Sequence, residues 1–278
     1  MGGALVTGSA GGIGLATARL LANRGFKVTV SDLDAVQSAQ AAEAIGRGAK
    51  GIALDVTDPT ACRAAAASVV EAAGSLDVWV NNAGVLVTGK AQDQSIDDFR
   101  SMIEVNYLGT VNGTLAALNV MREAGRGTIV NVVSLAGLIA APGEVAYSAS
   151  KHAALAFTLG TLYDLRRSGE DTVELCAVCP DGVWTPMIAP TLDDPDAVGS
   201  FSGGAKLGPD DVARAIGRVI ERPRPVTAVP RHRGAQLRLV AALPRLSLKL
   251  MPLLLRDAAR KQARFAKRVA SGQIPPPN

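Results

Sequence analysis

A tyrosine and a lysine four residues apart, Tyr147 and Lys151, are the side chains of this sequence best suited to proton transfer. Positions i and i+4 of a helix lie one turn apart on the same face, so the phenol and the ammonium can reach one point. An unperturbed phenol has a pKa of about 10, and a cation about 4 Å away contributes roughly 4 kcal/mol, or about 3 pKa units. The pair therefore predicts a tyrosine that titrates near neutral pH. Many surface helices carry such a pair without any function, so other motifs must decide.

A glycine-rich turn near the N-terminus predicts a dinucleotide site. An apolar strand at 3–7 leads into Gly8-Ser9-Ala10-Gly11-Gly12-Ile13-Gly14, and helical spacing resumes at Leu15. Such a turn brings backbone amides at a helix N-terminus close to a pyrophosphate. A carboxylate at Asp32, after the second predicted strand, can bind both hydroxyls of an adenosine ribose and repel a 2′-phosphate, which favours NAD over NADP. Alternatively, Asp32 or Asp34 caps the next helix.

Strands and helices alternate along most of the chain. This alternation predicts an α/β fold with a parallel sheet and right-handed crossovers, whose ligands lie beyond the carboxyl ends of the strands. Further strands are predicted at 51–54, 76–80, 173–179 and 226–229. Five candidate residues fall at predicted strand ends: Gly8, Asp32, Asp55, Asn82 and Ser134. We expect the Asp55 carboxylate to meet adenine.

Taken together, the motifs resemble those of the classical short-chain dehydrogenases/reductases. The matching pieces follow family order and spacing over residues 3–230: Thr7-Gly8-x-x-x-Gly12-x-Gly14, Asn81-Asn82-Ala83-Gly84, Asn106, Ser134 and Tyr147-x-x-x-Lys151. The resemblance implies a Rossmann-type, doubly wound parallel sheet of seven strands and a nicotinamide cofactor. It also implies a homotetramer or homodimer formed through the helices near 97–124 and 145–168.

The same resemblance implies a role for each catalytic residue. Tyr147 takes the hydroxyl proton of an alcohol while its hydride moves to the nicotinamide, and Ser134 holds the same oxygen. Lys151 lowers the pKa of Tyr147 and bonds the nicotinamide ribose, and Asn106 binds a water that links Lys151 to solvent. The predicted cofactor-binding residues are Gly8, Ser9, Gly12, Ile13, Gly14, Asp32, Leu33, Asp55, Val56, Asn82, Ala83, Gly84, Tyr147, Lys151, Pro180, Gly182, Val183 and Thr185.

One stretch departs from the family pattern. The family has Pro-Gly before Val-x-Thr, whereas this chain reads Pro180-Asp181-Gly182-Val183-Trp184-Thr185. The glycine is displaced by one position, which alters the local turn and the expected Gly182 contact. Pro180, Val183 and Thr185 still align with residues that contact the nicotinamide.

Composition and length predict one α/β domain plus a tail. With the resemblance, this becomes a Rossmann domain at 1–230, including a mobile lid at 189–208, followed by a basic amphipathic helical extension at 231–278. No charged and apolar leader precedes the first strand, so we expect a cytoplasmic protein. The three cysteines give no disulfide framework, and we interpret Cys176 and Cys179 as core residues of a buried strand rather than as metal ligands. No metal site is predicted.

Charge is distributed unevenly. Residues 224–278 hold 12 Lys and Arg against one acidic residue, while residues 1–223 hold 17 against 24. The pI near 9.1 therefore does not indicate nucleic-acid binding, and an aromatic content of 4% argues against base stacking. Arg245, Lys249 and two prolines interrupt the apolar run at 237–256, which argues against a membrane span. The extension either packs over the pocket or a neighbouring subunit, or makes peripheral contact with an anionic membrane, and its end at 273–278 is predicted to be disordered.

Apolar residues follow or flank the motif residues, which favours an apolar secondary alcohol or ketone as substrate. The leading hypothesis is an NAD-dependent oxidoreductase for such a lipid-like or steroid-like alcohol. An NADPH-dependent 3-oxoacyl or other carbonyl reductase of the same family is the first alternative, and Asp32 argues against it. A non-catalytic dinucleotide-binding regulator is a remote one, because all four catalytic residues are present.

Overall fold

The computed structural model describes residues 1–203 and 206–277. Within them, seven parallel strands form one sheet in the order β3-β2-β1-β4-β5-β6-β7, which confirms the predicted fold. The strands are β1 (Gly3–Thr7), β2 (Lys27–Asp32), β3 (Lys50–Ala53), β4 (Leu76–Asn81), β5 (Gly127–Val132), β6 (Val173–Pro180) and β7 (Val226–Val229). The order reverses between β1 and β4, where a crevice for ligands opens in such sheets. Of the predicted lid, Gly204 and Ala205 lie outside the described residues, as does Asn278.

Helices cover both faces of the sheet. They are α1 (Gly12–Asn23), α2 (Ala35–Ile45), α3 (Pro59–Ala73), α4 (Ile96–Met102), α5 (Gly109–Ala124), α6 (Val145–Arg167), α7 (Pro209–Glu221), α8 (Arg231–Ala241) and α9 (Pro244–Ala270). One core packs α1, α2 and α7 against the sheet, and the other packs α3, α5 and α6 against its opposite face. The strands are apolar on both sides for this reason. Cys176 and Cys179 are fully buried in β6.

Short polar side chains begin several helices. The Asp34 carboxylate accepts hydrogen bonds from the Val36 and Gln37 amides at the start of α2. Asp58 caps α3 with Pro59 in its first turn, as its sequence predicts. Asp34 therefore caps α2, and the alternative that Asp32 is the helix cap is excluded.

The long helix predicted near 97–124 is not continuous. A π-helical segment at Ile103–Leu108 separates α4 from α5, and it contains Asn106. Such wide turns are frequent at functional sites. The apolar spacing of the sequence does not reveal it, because the segment depends on where the Asn106 side chain finds its partners.

The C-terminal extension folds back over the lid. The Gln262 amide donates to the carbonyls of Thr191, Leu192 and Asp194, and the Trp184 indole donates to the Pro275 carbonyl at 2.9 Å. The disorder predicted for the chain end is therefore wrong for 273–277. A buried indole N–H requires a partner, and the end of the chain supplies it. In the described part of the chain, every helix is too short or too polar to cross a bilayer.

Candidate active site

A cavity of about 1050 Å³ lies at the carboxyl ends of the strands. Most of the predicted site residues line it: Gly8, Gly12, Ile13, Asp32, Leu33, Asp55, Val56, Asn82, Ala83, Gly84, Ser134, Tyr147, Lys151, Pro180, Gly182, Val183 and Thr185. The other three, Ser9, Gly14 and Asn106, are buried beside lining residues. The topology thus gathers residues separated by more than a hundred positions in sequence.

The glycine turn leaves room for a phosphate group. Gly8 and Gly12 have φ angles of 59° and 55°, in the left-handed region that favours glycine. A Cβ on Gly14 would stand 2.3 Å from the Gly8 carbonyl oxygen, so the start of α1 can approach the loop only without a side chain. Among the described residues no side chain caps α1, and its first-turn amides point toward the cavity end of the strands.

Three side chains hold this loop against the neighbouring strand ends. The Asn82 amide donates to the carbonyls of Thr7 and Gly8 at 3.0 and 2.8 Å, and the Thr7 hydroxyl accepts from the amides of Asn82 and Ala83. The Ser9 hydroxyl donates to the Val6 carbonyl at 2.6 Å. Asn82 and Ser9 therefore position the loop by joining neighbouring strand ends.

The Asp32 carboxylate is fixed at the end of β2. Its oxygens accept from the Ala10 amide at 3.2 Å and the Leu33 amide at 2.9 Å, and the side chain faces the cavity. Asp55 instead accepts from the amide and hydroxyl of Thr57 at the end of β3. Both carboxylates give the loop end of the cavity a negative rim.

Ser134, Tyr147 and Lys151 meet beyond the ends of β5 and β6. Lys151 is 3% exposed, its ammonium donates to the Val132 carbonyl at 3.1 Å, and it lies 5.6 Å from the centroid of the Tyr147 ring. The Ser134 hydroxyl accepts from the Ala136 amide at 3.1 Å. A serine, a phenol and a cation therefore face one volume of the cavity.

The pKa values of this group follow burial. Burial raises the pKa of Tyr147, the nearby Glu144 carboxylate raises it further, and hydrogen bonding to Ser134 acts in the opposite direction. Burial also lowers the pKa of Lys151 to about 8. The predicted lowering of the tyrosine pKa is therefore not what this structure shows. The Lys151 ammonium is hydrogen-bonded to the Val132 carbonyl. The cost of desolvating the Tyr147 phenolate is larger than any stabilisation that the cation provides, so the pKa rises.

Asn106 holds the segment that follows β4. Its side chain accepts from the Val85 amide at 2.7 Å and donates to the Val85 carbonyl at 2.9 Å and to the Ser150 hydroxyl at 3.0 Å. A Cβ on Gly84 would lie 3.0 Å from Asn106 Oδ1 and 3.6 Å from Lys151 Nζ. Asn106 thus positions Gly84 and Val85 against the lysine, and its predicted link to water stays a prediction.

Comparison with known proteins agrees with this geometry. The family model described as short chain dehydrogenase matches residues 3–196. The chain belongs to the short-chain dehydrogenase family. Cyclopentanol dehydrogenase of Comamonas sp. (strain NCIMB 9872) is 36% identical over 219 residues, which are 76% of this chain and 86% of that protein.

Two further relatives extend the comparison. The 3-alpha-(or 20-beta)-hydroxysteroid dehydrogenase of Mycobacterium tuberculosis (strain ATCC 25618 / H37Rv) is 37% identical over 185 residues, covering 66% of this chain and 70% of that protein. A Burkholderia phymatum short chain dehydrogenase/reductase solved in complex with NAD superposes with a TM-score of 0.78 at 27% identity, covering 88% of this chain and 94% of that one. As a member of the family, this protein is an NAD(P)-dependent oxidoreductase acting on CH–OH groups.

In this short-chain dehydrogenase, Asp181 anchors the end of β6 to the extension. One carboxylate oxygen accepts from the Gly182 amide at 2.9 Å, and the other pairs with Arg233 at 3.0 Å. The two side chains are only 11% and 19% exposed, and Arg233 also donates to the Ser202 hydroxyl at 3.0 Å. Asp181, the residue that departs from the family pattern, therefore forms an ion pair with Arg233. The sequence did not reveal this pair, because the two residues are 52 positions apart.

Glu144 holds the lid from the opposite side. It is 3% exposed, and one oxygen accepts from the Ser200 amide and hydroxyl at 2.9 and 2.7 Å. Burial raises the pKa of Glu144, while the Ser200 hydrogen bonds oppose the rise. Lys206 donates to the Ser200 carbonyl at 2.7 Å, and burial lowers the pKa of Lys206 to about 8. In the sequence, the only signal for a role of Glu144 was its position directly before α6.

The far end of the cavity is mostly apolar. The extension and the segments after the strands contribute Leu86, Ile139, Met187, Ile188, Leu237 and Leu255. Two cations also line this end, and both are paired, Arg233 with Asp181 and Lys261 with Asp257. The pocket therefore presents apolar surface beside Ser134 and Tyr147.

Proposed function

We propose that this protein is an NAD-dependent dehydrogenase that interconverts an apolar, lipid-like or steroid-like secondary alcohol and its ketone. The observation that carries the proposal is the meeting of Ser134, Tyr147 and Lys151 at the apolar end of the cavity. The names of two relatives, a cyclopentanol dehydrogenase and a hydroxysteroid dehydrogenase, support a cyclic secondary alcohol.

The cavity fits a nicotinamide dinucleotide. Gly8, Gly12 and Gly14 keep side chains away from the place where a pyrophosphate would approach the α1 amides, and any Cβ on Gly14 would collide with the loop. The Asp32 carboxylate supports NAD, because it offers acceptors to ribose hydroxyls and repels a 2′-phosphate. When bound, the nicotinamide supplies hydride transfer, and Pro180, Val183 and Thr185 are proposed to lie against it.

The roles of the chain's own residues follow from their surroundings. Because the pKa of Tyr147 is raised, its phenol is protonated at neutral pH and can donate to a ketone oxygen held by the Ser134 hydroxyl. In the opposite direction the phenol must first be deprotonated before it accepts the alcohol proton, and we propose that the Lys151 ammonium, 5.6 Å from the centroid of the Tyr147 ring, stabilises that anion. Asn106 holds the Val85 segment and the hydroxyl of Ser150, the residue before the lysine.

A substrate screen tests the proposal. Cyclic alcohols, sterols and fatty alcohols are offered with NAD and with NADP, and 3-oxoacyl thioesters are offered with NADPH. The formation or consumption of reduced cofactor is followed by absorbance. We expect turnover of a cyclic or steroidal alcohol with NAD. Preferential reduction of 3-oxoacyl substrates with NADPH would instead support the carbonyl reductase. Cofactor binding without turnover of any alcohol or ketone would support the non-catalytic regulator.

We also propose that the protein forms a homodimer or homotetramer through α5 and α6. Leu115 of α5 and Tyr163 of α6 are 53% and 63% exposed, and Leu108, directly before α5, is 43% exposed. Apolar side chains on adjacent helices are typical of subunit contacts. Sedimentation velocity measures the assembly, and a monomer at catalytic concentrations would refute it. A cytoplasmic location stays a prediction.

A further inference from the structure

The junction of α8 and α9, here the α8/α9 corner (residues 238–256), exposes an unusual number of leucines. Leu248 is 74% exposed, Leu239 65% and Leu253 61%. Four others are between 42% and 50% exposed: Leu243, Leu246, Leu250 and Leu254. Single exposed leucines need no explanation, but seven on adjoining turns are typical of a contact surface.

The same corner is strongly basic. Arg238, Arg245, Lys249 and Arg256 lie among the leucines, and Asp257 is the only acidic residue in 224–278. Asp257 pairs with Lys261, so it does not neutralise the corner. Exposed leucines between uncompensated cations match a lipid surface, which accepts the leucines among acyl chains and the cations among anionic headgroups.

The position of the corner relative to the cavity agrees with such a partner. Leu239, Val240, Met251 and Leu254 line the cavity while belonging to the corner. Leu248 and Leu253 do not line the cavity, and their exposed side chains are accessible to a lipid surface. The exposed apolar surface of the corner is therefore continuous with the wall of the apolar pocket.

We propose that the α8/α9 corner docks on an anionic lipid bilayer as an interfacial segment. A second copy of the chain fits this surface less well, because a two-fold contact pairs the same patch of both copies and would bring two sets of cations, Arg245 and Lys249 among them, into one interface. Docking itself does not depend on the proposed function. One consequence does rest on it, namely that an apolar alcohol enters the cavity from the bilayer.

Co-sedimentation of the full chain with vesicles tests the docking. Vesicles of phosphatidylcholine and phosphatidylserine in equal parts are compared with phosphatidylcholine alone, at low and high salt, without substrate. We expect binding to the anionic vesicles that weakens with salt. Arg245→Gln/Lys249→Gln should lower the affinity about thirtyfold, since each cation near such a surface contributes roughly fivefold. Leu248→Ser/Leu253→Ser should lower it by a hundredfold or so, about tenfold for each leucine.

Matched variants elsewhere provide the controls. Val36 and Ile96 are 64% and 65% exposed, so Val36→Ser/Ile96→Ser removes comparable apolar surface and should leave vesicle binding unchanged. Equal binding to neutral vesicles, or unchanged binding of both corner variants, would overturn the proposal. So would a corner variant that retains vesicle binding but loses mass in sedimentation velocity, because the leucines would then face a second copy. Failure of the substrate screen would leave the docking result intact.

Discussion

Removing Arg233 tests how the extension is joined to the Rossmann domain. The Arg233 guanidinium lies 3.0 Å from the Asp181 carboxylate, with the side chains 19% and 11% exposed. At an effective dielectric of about 20 such a pair attracts by roughly 5 kcal/mol, most of which is offset by desolvation. Arg233→Met leaves a buried carboxylate and also removes the Ser202 hydrogen bond. Breaking a fully buried pair costs about 3–5 kcal/mol, so with the residual exposure we expect a loss of about 2–3 kcal/mol in the free energy of unfolding.

A double-mutant cycle separates the ion pair from simple loss of packing. Asp181→Asn/Arg233→Met removes both charges and should recover most of the loss, giving a coupling of about 2 kcal/mol. Urea denaturation, followed by circular dichroism and by the fluorescence of Trp79 and Trp184, provides the unfolding free energies.

An exposed pair serves as the reference for this cycle. Arg100 and Asp97 are 65% and 83% exposed, so the cycle of Arg100→Met and Asp97→Asn should show a coupling below about 0.5 kcal/mol. Single effects of Asp181→Asn and Arg233→Met that add to within about 0.5 kcal/mol in the double variant would refute the argument, since independent residues behave in that way.

Three further outcomes are expected. Tyr147→Phe should reduce turnover by about a thousandfold or more while calorimetry still detects NAD binding, and substantial residual turnover would contradict the assignment of the phenol. Asp32→Ser should shift the ratio of kcat/KM values toward NADP by about tenfold or more, because a repelling carboxylate is lost; an unchanged ratio would remove Asp32 from the ribose site. The pKa of Lys151 is lowered to about 8, so between about pH 8 and 10 the native state releases a proton that the unfolded chain keeps. Lys151 should therefore contribute a rise of up to about 1.4 kcal/mol per pH unit there in the unfolding free energy. The contribution is measured as the difference in slope between the unmodified protein and Lys151→Met, because Lys206, whose pKa is also lowered to about 8, titrates in the same range in both.

The sequence alone was enough for the sheet and for the residues at its carboxyl edge. Alternating apolar strands and helices leave few topologies, and in a parallel sheet the residue that ends a strand is automatically at the ligand edge. Gly8, Asp32, Asn82 and Ser134 were found in this way. The choice between Asp32 and Asp34 as helix cap required the structure, because both lie within the reach of the same turn.

The sequence did not predict which side chains from distant segments contact each other. The π-helical segment around Asn106, the hold of Glu144 on Ser200 and the pairing of Asp181 with Arg233 all depend on distances between segments far apart in the chain. The raised pKa of Tyr147 is a similar case. Spacing placed Lys151 within reach of the phenol, but burial and the competing Val132 carbonyl decide the direction of the shift.

The residue types and their order along the chain determined the fold and the family, because these depend on local periodicity and on strand ends. Tertiary structure decided where the extension goes. Its composition allowed packing or membrane contact, and the structure shows it packed on the lid through Gln262 while leaving leucines such as Leu248 exposed. A helix with apolar residues around much of its circumference can bury only one face against the protein. Only the packed structure shows which face stays exposed.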